Sequence, residues 1–314
     1  MRQCIGNYRT MVGLGIALAV VLCGSVQAAD YSLTANDALN TSSFNTAGNW
    51  SGGGAPSAGN NYLSAGYYLR TPPNNNTYVF QGNSLTLSGG GMAFKGNGPI
   101  TVNDLRIDGG WVGQWQGNTN TPLNGTVTVQ AGGGTFSSGS GRTITVNASI
   151  SGPGAITANG DGNLVLNAAN TYTGDTTVNA GTSTLNGSLL MDINSTGDFT
   201  QLLGTGTVDL NGALRLDVAD VTGSGSWLLV DVVNLTETFD TGFSIAMNAG
   251  PTFTESSDIW TYSDAGGDWM FTEATGVLDF AVAATGVIPE PSTFLIWSLG
   301  LLGLVGWRRR RRTK

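Results

Sequence analysis

The residues best suited to chemistry form one short row at positions 104–108. Strand alternation places Asp104, Arg106 and Asp108 on one face and puts Leu105 and Ile107 on the other. Two carboxylates beside a guanidinium could supply the acid, base and charge-stabilising groups of a polysaccharide-cleaving site. The row also fits a solvated face with a cross-strand ion pair, and we favour this interpretation because surface pairs are common and weak. We therefore assign no catalytic residue.

The composition excludes several catalytic and metal sites. The 314 residues include no His, so the chain has no Ser-His-Asp or Cys-His pair, no His-ligated zinc and no His-held haem. Both cysteines, Cys4 and Cys23, lie in an apolar leader, so the remainder offers no thiol for a disulfide or a metal. Two turns rich in Gly and Asp, at 159–163 and 264–268, lack the spacing of calcium-binding loops. We expect no cofactor and no metal.

The charge balance limits the choice of partners. Between residues 30 and 287, 20 acidic residues stand against five basic ones, a net charge of −15. Nucleic acid and anionic lipid are poor partners for such a surface. The charge is compatible with solubility, cation binding or contact with neutral sugars.

Short alternating strands dominate residues 77–225. Segments such as 126–129, 143–146 and 163–166 alternate aliphatic residues with Thr, Asn or other residues and are bounded by Gly or Asn-Gly. This period sends aliphatic side chains to one face and hydroxyls to the other, so we predict an all-β fold. Residues 29–76 are turn-rich and predict an N-terminal cap and loop.

One unit near residues 159–190 has a specific internal pattern. Residues 162–181 contain a strand, an Asn-Thr-Tyr-Thr-Gly corner, a second strand and an Asn-Ala-Gly corner. Asn and Gly suit such corners because they tolerate positive φ. The unit resembles the autotransporter-associated β-strand repeat, although Ser183 stands where that repeat has an inward aliphatic residue. The resemblance implies a right-handed parallel β-helix, or solenoid.

The length of the central region suits this architecture. Residues 77–225 would make roughly seven coils of about 20 residues, stacked into a rod of about 35 Å. A β-sandwich is the alternative; it predicts antiparallel hairpins with two-residue loops, whereas this sequence has many Gly/Asn corners of about three to six residues.

An aromatic-rich segment follows the coils. Residues 226–286 predict a C-terminal antiparallel β cap with a turn at 263–267. Trp260, Tyr262 and Trp269 could form a sugar-stacking platform, but aromatic residues at strand spacing are more often core.

Residues 1–28 are typical of a secretory signal peptide. Arg2 and Arg9 precede an apolar run at 12–22, and Val26 and Ala28 are the small residues that signal peptidase admits. We predict cleavage after Ala28; an uncleaved anchor helix is the alternative.

The segment 287–314 combines a short motif, an apolar run and a basic end. The motif is Pro289, Glu290 and Pro291. The predicted C-terminal transmembrane helix includes Phe294, Leu295, Ile296, Trp297, Leu301, Leu302 and Trp307, and the stop-transfer residues are Arg308, Arg309, Arg310, Arg311 and Arg312.

The run 294–307 spans about 21 Å, less than the ~30 Å hydrocarbon core, so the helix must extend, thin the bilayer or let the arginines snorkel. Arginines mark the cytoplasmic side, which places the body outside. The alternative is a buried core helix with a basic tail.

This segment resembles the PEP-CTERM sorting signal of Gram-negative bacteria, which has the same three parts in the same order. The resemblance implies recognition by an exosortase, removal of the tail, and delivery to the cell surface or the exopolysaccharide matrix.

Together these patterns predict an exported structural or adhesive protein that is not an enzyme. It would be anchored in the inner membrane during sorting and then reach the cell surface or extracellular matrix. Signal peptidase, an exosortase, the membrane and exopolysaccharide are the expected partners, and nucleic acid is not. A polysaccharide-active or polysaccharide-binding β-helix protein is the alternative.

Overall fold

The computed structural model describes residues 28–114, 119–194 and 197–283. This part of the chain is all-β, with a parallel solenoid of about seven turns, and its single short helix is a 3₁₀ turn at Leu235–Glu237. The predicted signal peptide, sorting motif and transmembrane helix lie outside the described residues, except for Ala28 at their edge. Within the ranges described, no helix is both long enough and apolar enough to span a membrane.

Three parallel sheets run along the solenoid. The first contains β1 (Asp30–Ser32), β2 (Asn61–Leu63), β4 (Tyr78–Val79), β5 (Ser84–Ser88), β7 (Ile100–Asp108), β9 (Asn120–Val129), β11 (Thr143–Val146), β12 (Ser149–Gly152), β14 (Asn163–Leu166), β15 (Thr171–Tyr172), β17 (Thr182–Leu185) and β20 (Thr207–Leu210). The second contains β3 (Tyr68–Arg70), β6 (Gly91–Phe94), β8 (Gly110–Gln114), β10 (Gly134–Ser138), β13 (Ile156–Asn159), β16 (Thr176–Val178), β19 (Leu202–Gly204) and β23 (Val230–Val232). The third contains β18 (Leu189–Asn194), β21 (Ala213–Asp220) and β24 (Ser244–Met247).

A fourth sheet is antiparallel, and we call it the capping sheet. Its strands are β22 (Gly225–Leu228), β25 (Thr254–Ser256), β26 (Ile259–Ser263), β27 (Gly267–Thr272) and β28 (Val277–Val282), in the spatial order β22-β28-β27-β26-β25. The turn predicted at 263–267 joins β26 to β27. Every strand pair in the other three sheets is parallel, which excludes the sandwich alternative for the central region.

The core is a set of columns in which each coil places an aliphatic side chain above that of the coil before. One column of the first sheet consists of Leu123, Val146, Leu166, Leu185 and Leu210, all buried. Each such side chain contributes about 1.5–3 kcal/mol when it leaves water. The adjacent column is interrupted by Ser183, which lies buried between Leu164 and Val208 with no partner for its hydroxyl. Ser183 therefore points inward, as the repeat predicts, and its hydroxyl lies in the core without a hydrogen-bond partner.

The parallel ladders begin earlier in the chain than the predicted start of the coils near residue 77. β1 pairs with β2, and β2 pairs with β5, so the segment predicted as a cap and loop supplies strands to the first sheet. The strands β1 and β2 have only three residues each, too few to show alternation in the sequence. Aromatic rings hold the segment in place: Trp50 lies 4.9 Å from Tyr62, and Tyr62 lies 5.4 Å from Phe80, between ring centroids.

The other end of the solenoid is closed by aromatic side chains. Phe243 packs edge-on against Trp260 of the capping sheet, with centroids 5.3 Å apart, and Phe239 packs against Phe271 at 5.8 Å. Within the segment predicted as an antiparallel cap, β23 and β24 instead extend the parallel sheets. The capping sheet therefore covers the last coil, whose backbone and apolar interior would otherwise be open.

In the coil that contains the repeat, Asn170 and Tyr172 form hydrogen bonds that stabilise the corner. Asn170 is buried; its Oδ1 accepts the Ile150 N–H at 3.1 Å and its Nδ2 donates to the Ala168 carbonyl at 2.9 Å. The Tyr172 ring fills the interior and its hydroxyl bonds the Thr176 hydroxyl at 2.5 Å. Burial raises the pKa of Tyr172. These residues fold the corner inward.

Stacked asparagines form a ladder along one corner of the solenoid. Its rungs are Asn124, Asn147, Asn167, Asn186 and Asn211, each following an inward aliphatic residue of the first sheet. Each Nδ2 donates to the Oδ1 of the rung before, at 2.8–3.0 Å. We call this set the asparagine ladder.

The ladder stops where the sequence changes from amide to carboxylate. In the next coil Phe239 bridges Leu210, and Asp240 N–H donates to the Leu210 carbonyl, so Asp240 occupies the position of a sixth rung. A carboxylate has no N–H to donate. Accordingly the Asn211 Oδ1 is buried without a partner.

We expect Asp240→Asn to extend the ladder by one rung. The new Nδ2 would satisfy the Asn211 Oδ1, which should raise the free energy of unfolding by about 1 kcal/mol and the Tm by about 2–4 °C. Thermal unfolding of the purified full chain in detergent measures this. Asp231→Asn, at an exposed outward position of β23, is the matched control and should leave Tm unchanged. Equal behaviour of the two variants would show that position 240 is not in register.

Candidate functional site

The row Asp104, Arg106 and Asp108 lies on the outward side of β7, with Leu105 and Ile107 buried beneath it. Arg106 bonds Asp104 through two nitrogens, at 2.7 and 3.1 Å, and both side chains are substantially exposed, at 46% and 32%. The pair lies within one strand rather than across strands. The hydrogen bonds that Arg106 donates to Asp104, together with the negative charge of Asp104, raise the pKa of Arg106.

Asp108, the third member of that row, forms a hydrogen bond with the backbone of the next coil. The Asp108 Oδ1 accepts the Gly132 N–H of the following coil at 3.0 Å, which fixes the corner between β9 and β10. Asp108 therefore does not pair with Arg106 in the ion pair at 104–106. The row consists of one solvated ion pair, which stabilises local structure by at most about 1 kcal/mol, and one corner acceptor.

The aromatic residues of the capping sheet do not form an exposed platform. Trp260 is 9% exposed and donates to Glu273 Oε1 at 2.7 Å, while Trp269 is 4% exposed and stacks on Phe280 with centroids 4.0 Å apart. Burial raises the pKa of Glu273, against the opposing effect of the Trp260 hydrogen bond. Tyr262 packs against the core. The core interpretation of these rings therefore fits the structure.

An acidic groove, which the sequence does not reveal, lies where the third sheet meets the corners of the second. Its volume is about 440 Å³, and its polar lining includes Asp175, Asp192, Asp198 and Thr200. Asp175 Oδ1 accepts the Gln201 N–H at 2.8 Å, and the Thr200 hydroxyl is close to the Asp192 N–H at 3.3 Å. These hydrogen bonds connect the segment 200–201 to Asp175 on one side of the groove and to Asp192 on the other.

Asp192 has further acidic residues close to it. It pairs in register with Asp217 of the next coil, so the two residues lie side by side on neighbouring strands about 4.8 Å apart. Burial raises the pKa of Asp192 first, and the charges of Asp217, Asp220 and Asp198 raise it further. Asp217 in turn accepts a hydrogen bond from Asn248 Nδ2 at 3.1 Å. A raised pKa is the property that a carboxyl needs in order to act as a general acid.

The sequence contains only a weak signal for this column. Asp192 pairs with Asp217 of the next coil, but the length of a coil varies along the solenoid. The rungs of the asparagine ladder, for example, follow one another at separations of 23, 20, 19 and 25 residues. Without a fixed period, spacing alone could not predict that the two carboxylates stack.

A second concavity separates the third sheet from the capping sheet. Its volume is about 600 Å³, and Asp217, Asn248, Asp264 and Trp269 are among the residues lining it. Trp269 offers only its edge, because its faces pack on Trp227 and Phe280. Among the residues described, no group of three or more acidic side chains is arranged to hold a metal ion.

Comparison with known proteins gives two family matches. Residues 156–182 match the passenger-associated-transport-repeat family; they comprise one coil, which begins with β13, and the start of the next coil, up to the first residue of β17. Residues 287–312 match the PEP-CTERM protein-sorting motif. Both resemblances found in the sequence are thereby confirmed. Searches of curated proteins and of solved structures found no match.

The two matches indicate where the protein is located and how it is processed. They indicate an exported, surface-directed protein of a Gram-negative bacterium, and the sorting motif implies processing by an exosortase. Residues Pro289, Glu290 and Pro291, the apolar run and the five arginines lie outside the described part of the structure.

We expect Asp192→Asn to raise the Tm at pH 7. Because the folded-state pKa of Asp192 is raised, its carboxyl ionises more easily in the unfolded chain, so ionisation favours unfolding as pH rises above about 4. The stabilisation should be present at neutral pH and shrink as pH falls through the ordinary Asp range. Melting curves from acidic to neutral pH measure it, with Asp231→Asn as control. A Tm difference independent of pH would contradict the stacked-carboxylate explanation.

Proposed function

We propose that this protein is a non-enzymatic surface or matrix component with a structural or adhesive role. The solenoid is a rigid stalk, and its outward faces contact extracellular polymer or neighbouring cells. Support comes from the two family matches and from the stacked architecture. The asparagine ladder is the observation that carries the proposal, since its side chains maintain a regular surface across five coils.

The hydrogen bonding of the polar residues favours a structural role over catalysis. Asn170, Asp108 and Asp175 each accept a backbone N–H from a neighbouring coil. A buried carboxylate in the N-terminal segment, Asp37, likewise accepts the N–H groups of Ser43 and Arg70 at 2.7 and 2.8 Å. Groups committed to such bonds hold coils together, and they are costly to free for proton transfer.

Exopolysaccharide is the polymer that we propose as the extracellular contact. The net charge of −15 between residues 30 and 287 disfavours nucleic acid and anionic lipid surfaces. Signal peptidase and an exosortase act during export, and the apolar run at 294–307 anchors the chain in the inner membrane until the tail is removed.

Polysaccharide cleavage is the second candidate function, and one observation favours it. Asp192 lies in a groove with Asp175 and Asp198, and its pKa is raised by burial and by neighbouring carboxylates. A glycosidase needs such an acid together with a second carboxylate. We place this candidate second because Asp175 is engaged by the Gln201 N–H.

We expect the full chain to release no sugar from polysaccharides. Incubation with neutral and acidic polysaccharides, followed by reducing-end assay and chromatography, measures this. Product that disappears in Asp192→Asn but persists in Asp231→Asn would replace the structural proposal with a hydrolase. Product lost in Asp104→Asn instead would assign the chemistry to the row on β7.

We expect removal of residues 289–314 to release the body from the membrane fraction. The deletion removes both the motif and the anchor, so nothing would hold the exported chain in the inner membrane. A triple variant, Pro289→Ala, Glu290→Ala and Pro291→Ala, keeps the anchor and should accumulate unprocessed in the membrane fraction. Fractionation and immunoblotting distinguish these products. An unchanged location and size in both variants would refute the sorting role.

A further inference from the structure

The outward side of the first sheet forms a flat array beside the asparagine ladder. One column on β9, β11, β14, β17 and β20 contains Asn120, Thr143, Asn163, Thr182 and Thr207. The column between it and the ladder contains Pro122, Thr145, Val165, Thr184 and Asp209. We call these two columns and the ladder the Asn/Thr face. Three columns on five successive strands present mainly amides and hydroxyls.

The side chains of the Asn/Thr face are held in position by one another. Each inner rung of the ladder donates one N–H and accepts one hydrogen bond, which leaves its second N–H and a further lone pair for a ligand. Thr145 donates to Asn120 Oδ1 at 2.9 Å, and Thr184 donates to Asp209 Oδ2 at 3.3 Å. Binding would therefore order few additional side chains, which lowers its entropic cost.

The charge of this face differs from that of the rest of the body. Its only ionisable side chain is Asp209, at the C-terminal edge, whereas residues 30–287 carry a net charge of −15. An anionic polymer would be repelled by the body and would find no cation on the face. A second copy of the chain would meet the same repulsion, and Pro122 and Val165 are too little apolar surface for a stable dimer.

We propose that the Asn/Thr face binds an uncharged linear polysaccharide that lies along the solenoid axis. This inference rests on the proposed function and names its contact surface and ligand class. The columns run along the axis with a spacing of about 4.8 Å per coil, so five strands present a track of about 20 Å. Successive sugar rings each meet a similar set of amide and hydroxyl groups, and weak contacts add along the chain.

The test compares two pairs of lysine substitutions of matched type and spacing. Thr145→Lys with Thr184→Lys places two long side chains on the Asn/Thr face, two coils apart. Thr135→Lys with Thr177→Lys does the same on the outward side of the second sheet, at equally half-buried positions. The full chain, purified in detergent, is titrated with dextran, galactomannan and the neutral exopolysaccharide fraction of the producing cells, and with alginate as the anionic probe. Circular dichroism melts verify that both variants fold.

We expect the native chain and the second-sheet variant to bind a neutral polysaccharide equally and to ignore alginate. The face variant should bind at least about tenfold more weakly, since two flexible side chains must be ordered or displaced. Equal loss in both variants, no loss in the face variant, stronger binding of alginate, or no binding of any neutral probe would overturn the inference. A change in oligomeric state confined to the face variant would assign the face to a second copy and also overturn it.

Retention on cells separates this inference from the proposed function. If the native chain stays in the matrix of the producing cells but none of the neutral probes binds, the inference fails and the adhesive role stands. If the native chain is not retained there at all, the proposed function fails.

Discussion

The whole structure depends on in-register parallel stacking of successive coils. Hydrogen bonds between coils run along the axis, so each residue faces its equivalent one coil earlier, and identical requirements recur at each level. An inward position favours an apolar side chain because its neighbours above and below are apolar, as in the column from Leu123 to Leu210; Ser183 is the exception in the adjacent column. The same constraint brings like polar groups together. Amides gain from this because they both donate and accept, which gives the asparagine ladder, whereas carboxylates do not, which gives the repulsive stack of Asp192 on Asp217.

The requirement for in-register stacking restricts the choice of residues most strongly at the corners between strands. At Gly181 the backbone has positive φ, and a Cβ there would collide with the Gly162 carbonyl oxygen of the coil before, so the Asn-Ala-Gly corner requires glycine on both conformational and steric grounds. At Asn170 a buried amide replaces the backbone partners that a turning chain loses. The family-matched repeat is thus one complete solution to coil formation, and neighbouring coils reach the same geometry with different residues.

The two ends of the solenoid are packed with aromatic side chains, and its outer surface is accessible for contact. Aromatic side chains pack near both ends, around Tyr62 at one and Phe243 at the other. What remains for contact is the lateral surface. There the Asn/Thr face, whose only ionisable side chain is Asp209, differs from the acidic groove around Asp192. The sorting motif indicates that this surface is exported and directed to the cell surface.

The sequence alone determined the all-β class, the inward and outward sides of strands such as β7 and β11, the repeat and the sorting motif, because alternation, corner residues and local motifs are properties of short segments. It also placed Ser183 in the interior. The tertiary structure alone decided which residues stack, because the length of a coil changes along the solenoid and no fixed period relates one coil to the next. For that reason the asparagine ladder, the Asp240 terminus, the Asp192 groove and the solenoid strands before residue 77 could not be read from spacing. Stacking is a relation between coils, and the length of each corner sets it.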